Sequence, residues 1–265
     1  MRLKVLRADP AGNITLFVLS PVEKEYRAAL AEKLMALERF KAEQVGYCCA
    51  IEDGVDGHME MSGGEFCGNA TRAYGMLTAK NSGLCGKAHL TLRVSGCEHP
   101  VGVDVDMDNQ TARSEMPLPV FVRREAVGAV EGTLVHLGGI AHFVVKNVPP
   151  SLAFFEQAEQ MFLSLDGLDA YGVMFLDTAA HRMTPLVKVP AANSLFWEGS
   201  CGSGSIACAV AQSEGMQSGG FSCEYTQPAG KVRASVERQN GKVIAAAIGG
   251  LVTLGEVMSI DLPDA

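Results

Sequence analysis

The sequence has no Cys-x-x-Cys pair, no long apolar run and no surplus of basic charge, and each lack removes a class of function. Without that spacing its eight cysteines make neither a structural zinc site nor a thioredoxin-like redox motif, and the six histidines show no ligand-like spacing to them. No resident metal is expected. The best apolar stretch, Val243 to Leu254, is broken by Gly249 and Gly250 and falls short of the roughly 20 residues that span a bilayer. Met1 to Asp9 alternates charged and apolar residues and lacks the continuous apolar segment of a signal peptide, so a cytoplasmic protein without a membrane partner is expected. Lys and Arg total 22 against 30 Asp and Glu, a formal net charge of −8, which argues against nucleic acid as a partner.

What is present is a globular composition, 48% hydrophobic and 20% charged, rich enough to build a core. A length of 265 residues is awkward for one domain and comfortable for two of about 130 each. In a reducing compartment most of the cysteines are small buried hydrophobes. Cys97 and Cys208 are expected in the core, and the neighbours Cys48 and Cys49 on opposite faces of a strand.

The order of elements repeats. A strand at Ile14 to Leu19 runs into Ser20-Pro21-Val22-Glu23, which has the form of a capping box with proline at the first helical position. Tyr26, Leu30, Leu34 and Leu37 follow at helical spacing, predicting a helix over Val22 to Phe40. Strands are expected at Val45 to Ile51 and Gly57 to Met61, then a helix from Cys67 to about Lys80, then strands at His89 to Val94 and Val101 to Val105. The second half shows a strand at His142 to Lys146, a helix from Ser151 to about Leu163, and strands at Tyr171 to Leu176 and Arg182 to Val189. A helix from Cys201 to about Ser213 and strands at Val232 to Glu237 and Lys242 to Ala247 complete it. The helix starts Val22 and Ser151 are 129 residues apart, and the Cys-Gly turns at Cys67 and Cys201 are 134 apart, both near half the length. Two domains, 1–117 and 118–265, are expected, with the last strand free to pack on the first domain and a hinge near residue 117.

Each half places a cysteine at a glycine-rich helix start, in Glu65-Phe66-Cys67-Gly68-Asn69-Ala70 and in Gly199-Ser200-Cys201-Gly202-Ser203-Gly204. Backbone N–H groups there lack helical partners and the dipole is positive, which favours thiolate and holds anions. If the two starts face one another, one substrate carboxylate sits between them with a thiol on either side of the adjacent carbon. That arrangement suits inversion at an amino acid α-carbon, because one base alone returns the proton to the face it left. Helix-end N–H groups would stabilise the enolate-like charge, and no cofactor is implied.

At these residues the chain resembles the cofactor-independent epimerases typified by diaminopimelate epimerase. The resemblance rests on Cys67-Gly68-Asn69-Ala70, Cys201-Gly202-Ser203-Gly204, Gly12-Asn13 and Gln44, and it covers essentially the whole chain. It implies an α/β fold of two pseudo-symmetric domains, each a curved, mostly antiparallel sheet around a central helix. It also implies Cys67 and Cys201 as the catalytic pair, with Asn13, Gln44, Gly68, Asn69, Gly202 and Ser203 around the substrate.

The departures bear on the substrate. The segments before both cysteines are shorter than in diaminopimelate epimerases, Gly138-Gly139-Ile140-Ala141-His142 lacks that family's Asn, and Met174 falls where another polar residue is expected. The sequence is more similar to the histidine racemases of opine-type metallophore biosynthesis. Glu43 to Gly46, Met61 to Thr71, Val94 to Cys97, Trp197 to Gly204 and Gln227 to Gly230 carry that similarity. It implies L-histidine to D-histidine racemisation, with Glu43 facing the imidazole; Glu198, beside the second thiol, is the candidate for the α-ammonium. On residue chemistry alone a solvated or capping role is the alternative for Glu43. His142 and His58 read as satisfied or exposed polar residues, and Trp197 as packing or a pocket wall. Rival readings are diaminopimelate epimerase, a phenazine-biosynthesis-like isomerase lacking the thiol pair, and an amino acid binding protein without catalysis. A homodimer stays open, because no residue pattern reads out the oligomeric state.

Overall fold

The computed structural model describes residues 1–262, and the chain divides into two compact units, 1–115 with 249–265 and 116–248. The first unit runs through β1 (Arg2–Asp9), β2 (Thr15–Val18), α1 (Arg27–Met35), β3 (Gln44–Cys48), β4 (Gly57–Met61), α2 (Gly68–Asn81), β5 (Lys87–Val94), β6 (Val101–Asp106) and β7 (Thr111–Glu115). Across its two helical crossovers the pairing is parallel, β2 with β3 and β4 with β5. The pairs β1–β2, β3–β4, β5–β6 and β6–β7, joined without an intervening helix, are antiparallel.

The second unit contains β8 (Phe121–Val127), β9 (Val130–His136), β10 (Ile140–Lys146), α3 (Leu152–Leu163), β11 (Ala170–Asp177), β12 (Arg182–Val189), β13 (Ser194–Trp197), α4 (Gly202–Gln212), β14 (Gly219–Thr226) and β15 (Lys231–Gln239). It repeats the plan: β10 pairs in parallel with β11 across α3, and β12 with β14 across α4. The second boundary falls within β16 (Lys242–Leu251), and β17 (Thr253–Asp261) pairs antiparallel with β1, Leu3 opposite Ile260.

In the first unit the central helix is α2, buried from Gly68 through Ala79 among β-strand residues such as Met59, Leu92 and Val103. Its fit is close enough that a Cβ on Gly75 would lie 2.6 Å from Val103 Cγ1. Gly83, at φ 67°, ends the helix in the left-handed region, and the Leu84 N–H returns to the Ala79 carbonyl at 3.0 Å. In the second unit α4 is buried from Gly204 through Ala211. The partner helices α1 and α3 bury one face only, Leu30, Ala31 and Leu34 in one and Phe154, Phe155, Ala158 and Phe162 in the other. Ser151 caps α3 by accepting from the Phe154 N–H at 3.2 Å.

The Val22 to Phe40 helix is corrected to Arg27–Met35, preceded by a short 3-10 turn over Lys24–Tyr26. Ser20 does not cap it. Its hydroxyl accepts from the Lys4 N–H of β1 at 2.8 Å, and Glu23 is extended at φ −60°, ψ 141°. Sheet pairing claims the hydroxyl that the local motif would have used for capping.

Candidate active site

Cys67 and Cys201 are the N-cap residues of the two central helices. Their backbone angles nearly coincide, φ −127°, ψ 108° and φ −120°, ψ 112°. In each case the sulfur accepts the N–H three residues on, from Ala70 at 3.4 Å and from Gly204 at 3.3 Å. The residue after that returns its hydroxyl to the cysteine carbonyl, Thr71 at 2.8 Å and Ser205 at 2.7 Å. Gly68 and Asn69, like Gly202 and Ser203, are the first two helical residues, whose N–H groups have no acceptor within their helix.

In the first unit the expected site residues gather around Cys67. The Asn13 amide donates to Glu43 at 2.9 Å, its carbonyl accepts from Gln44 Nε2 at 2.8 Å, and Cys67 Sγ approaches the same oxygen at 3.9 Å. Gln44 Nε2 is shared with Thr15 Oγ1 at 2.7 Å. Asn13 is presented by a tight bend, with Ala11 and Gly12 at positive φ and the Gly12 N–H bound to Asp9 at 2.7 Å. Glu43 keeps an exposed surface, yet the protein around its carboxylate raises its pKa. The Asn13 amide opposes that rise and the Asp9 charge adds to it. Burial likewise pushes the Cys67 thiol up, against the lowering by the Ala70 N–H and the Gln44 amide.

In the second unit Cys201 is 5% exposed, and its N–H donates to Gln227 Oε1 at 2.7 Å. Gln227 Nε2 in turn reaches Ser205 Oγ at 3.0 Å, so one buried amide ties the cap to its helix. Ser203 Oγ lies 3.6 Å from Cys201 Sγ and 2.8 Å from His142 Nε2. Gly204 has no room for a side chain, because a Cβ there would lie 2.3 Å from Met174 Sδ. The Cys201 thiol is held well above its ordinary value, first by burial and then by the Glu198 carboxylate beside it. Ser203 and the Gly204 N–H work in the opposite direction.

Some side chains have more definite roles than their sequence context suggests. His142 is completely buried rather than exposed, and burial depresses its pKa to about 3, so it stays neutral. Gln227 lies in a motif that carries similarity, yet its part in holding Cys201 appears only in three dimensions. Trp197 is 46% exposed, its ring centroid 6.0 Å from that of Phe175. Cys208 is fully buried in the second unit, Cys97 packs against the apolar core of the first, and all eight cysteines are free thiols. Cys49, His58 and Glu60, which no spacing connects, come together with their ligand atoms within 4.8 Å of one another. Arg27 already supplies positive charge there, pairing with Glu60 and lying 5.3 Å over the Tyr47 ring, so the cluster works as an ion-pair knot. Among the described residues no helix is long and apolar enough to cross a membrane.

Two parallel crossovers around a buried helix in each unit, with a cysteine capping each helix, define a racemase- and epimerase-type fold. A solved hydroxyproline epimerase from Agrobacterium vitis superposes with a TM-score of 0.65 at 13% identity, covering 99% of this chain and 93% of that one. Residues 2–257 match the family described as histidine racemase CntK N-terminal domain, and the chain belongs to that family of isomerases. A histidine racemase of Fusobacterium nucleatum subsp. nucleatum is 32% identical over 216 residues, covering 77% of this chain and 78% of the relative. One from Staphylococcus aureus is 28% identical over 257 residues, covering 92% of each.

Proposed function

We propose that this protein interconverts L- and D-histidine without a cofactor, with Cys67 and Cys201 acting on opposite faces of one α-carbon. The observation that carries the reading is the matched pair of N-capping thiols, alike in backbone angles, sulfur hydrogen bond and supporting hydroxyl. The substrate carboxylate is held by the N–H groups of Gly68, Asn69, Gly202 and Ser203. As the α-proton leaves, negative charge spreads into that carboxylate, where helix-end dipoles stabilise it. Glu198 takes the α-ammonium. Glu43, joined to Asn13 and through it to Gln44, accepts the imidazole N–H.

Histidine is favoured over diaminopimelate by family membership. A cytoplasmic role supplying D-histidine to metallophore biosynthesis is part of the same reading. The test is racemisation of L-histidine, against LL-diaminopimelate and other free L-amino acids, by native protein, Cys67→Ala and Cys201→Ala. The native protein should convert histidine fastest and both variants should be inert. Normal racemisation by both variants would end the two-thiol account.

A further inference from the structure

Arg72 sits five residues after Cys67, on the buried side of α2, and is 0% exposed. Its Nε donates to Asn69 Oδ1 at 3.2 Å and its Nη1 to the Leu251 carbonyl at 2.9 Å, while Nη2 has no hydrogen-bond partner among the described residues. A guanidinium buried this deeply is costly unless an anion compensates it. Among the described residues no carboxylate is in ion-pairing range. The groups whose negative charge acts on Arg72 are Cys67, the stronger, and Asp9 of β1. Glu65, in the approach to α2, works in the opposite direction, its charge raising the Cys67 thiol against the lowering by the Ala70 and Asn69 N–H groups. The corresponding position after Cys201 is Ile206, equally buried. That second thiol faces the Glu198 carboxylate, the hydroxyl of Ser203 and, through it, the neutral ring of His142 on β10.

We propose that Arg72 is the fixed counter-charge of the first helix start, so that the resting protein carries its thiolate on Cys67 and its thiol on Cys201. The inference rests on the two-thiol reading and deepens it by assigning the protons. In the step that follows, Cys67 Sγ takes the α-proton as the Cα–H bond breaks, and its electron pair passes towards the substrate carboxylate. Cys201 then gives its proton to the opposite face and is left as thiolate, so one proton is taken, one is given, and no electrons are exchanged with a cofactor. Arg72 touches no reacting atom. It is a positioning residue acting through charge on Cys67 and through its bond to Asn69, whose N–H is one of those offered to the carboxylate.

The test is site-resolved alkylation with iodoacetamide across pH, read by mass spectrometry on the full chain as native protein, Arg72→Lys and Arg72→Met. Ionisation midpoints are compared rather than rates, because the two thiols differ in exposure. In the native protein the Cys67 midpoint should lie below that of Cys201. Arg72→Met should slow Cys67 alkylation at neutral pH by about tenfold and leave Cys201 within about twofold, whereas Arg72→Lys, which keeps the charge, should restore most of the loss. A Cys201 midpoint below that of Cys67, or Arg72→Lys slowing Cys67 as much as Arg72→Met, overturns the proposal. If Arg72→Met does not fold, the native midpoints and Arg72→Lys decide between these outcomes. The readout needs no turnover, so normal racemisation by the alanine variants and a reversed midpoint order are separate failures.

Discussion

Cys67 and Cys201 cap their helices at nearly the same backbone angles, and each sulfur accepts the N–H three residues further on. Around those shared bonds the two starts diverge. Two residues on, Asn69 corresponds to Ser203; three on, Ala70 to Gly204; five on, a buried Arg72 to a buried Ile206. The backbone plan presents thiols and N–H groups, whereas the side chains set which sulfur is charged. Symmetry of geometry with asymmetry of charge is what a two-base reaction asks for, since one group must be able to accept a proton while the other can give one.

The comparison breaks most sharply if either thiol proves dispensable. Cys67→Ala and Cys201→Ala should each lower histidine racemisation by about a thousandfold or more, measured by chiral chromatography. Next in size is the third position. Gly204→Ala drives a methyl into Met174 and should cost about 2–3 kcal/mol in urea unfolding, whereas Ala70→Gly should cost about 1–2 kcal/mol, from helix propensity and the loss of one buried methyl.

His142 gives a pH-dependent contrast. Its folded pKa of about 3 lies below the ordinary 6.5, so the stability of its neutral form is complete above pH 6.5 and is lost as pH falls towards 3. Within that window its contribution falls by about 1.4 kcal/mol per pH unit, and His142→Gln should show a correspondingly shallower acid decline. Smallest is the pair of supporting hydroxyls. Ser205→Ala strands the buried Gln227 amide as well as losing its own bond, and should cost about 1 kcal/mol more than Thr71→Val by chemical denaturation.

Features governed by local chemistry were legible in the sequence. Glycine after each cysteine, a strand before it and an apolar helix behind it marked both caps, and β4 and α2 fall where periodicity and the Asn81-Ser82-Gly83 stop place them. Asn13, Glu43 and Gln44 were identifiable through family resemblance, and the fold joins them by hydrogen bonds to each other and to Cys67. Features set by distant partners were not legible. Ser20 has a capping sequence but serves β1. Gln227, 26 residues beyond Cys201, carries no local sign that its amide accepts the cysteine N–H. Arg72 reads as an ordinary charged helical residue until the packing of α2 buries it. Edge and short strands such as β7, β8, β13 and β14 carry polar or irregular patterns, and pairing rather than propensity brings them into the sheets.

The central claim is that two different groups exchange protons with opposite faces of the α-carbon. The direct measurement is the first few percent of L-histidine conversion in D₂O, following deuterium at Cα in both enantiomers by NMR after chiral separation. D-histidine carrying deuterium from the earliest point, with the remaining L-histidine still protonated, is the result predicted. Deuterium entering the unconverted L-histidine as fast as the product, or D-histidine retaining its original proton, would contradict the account.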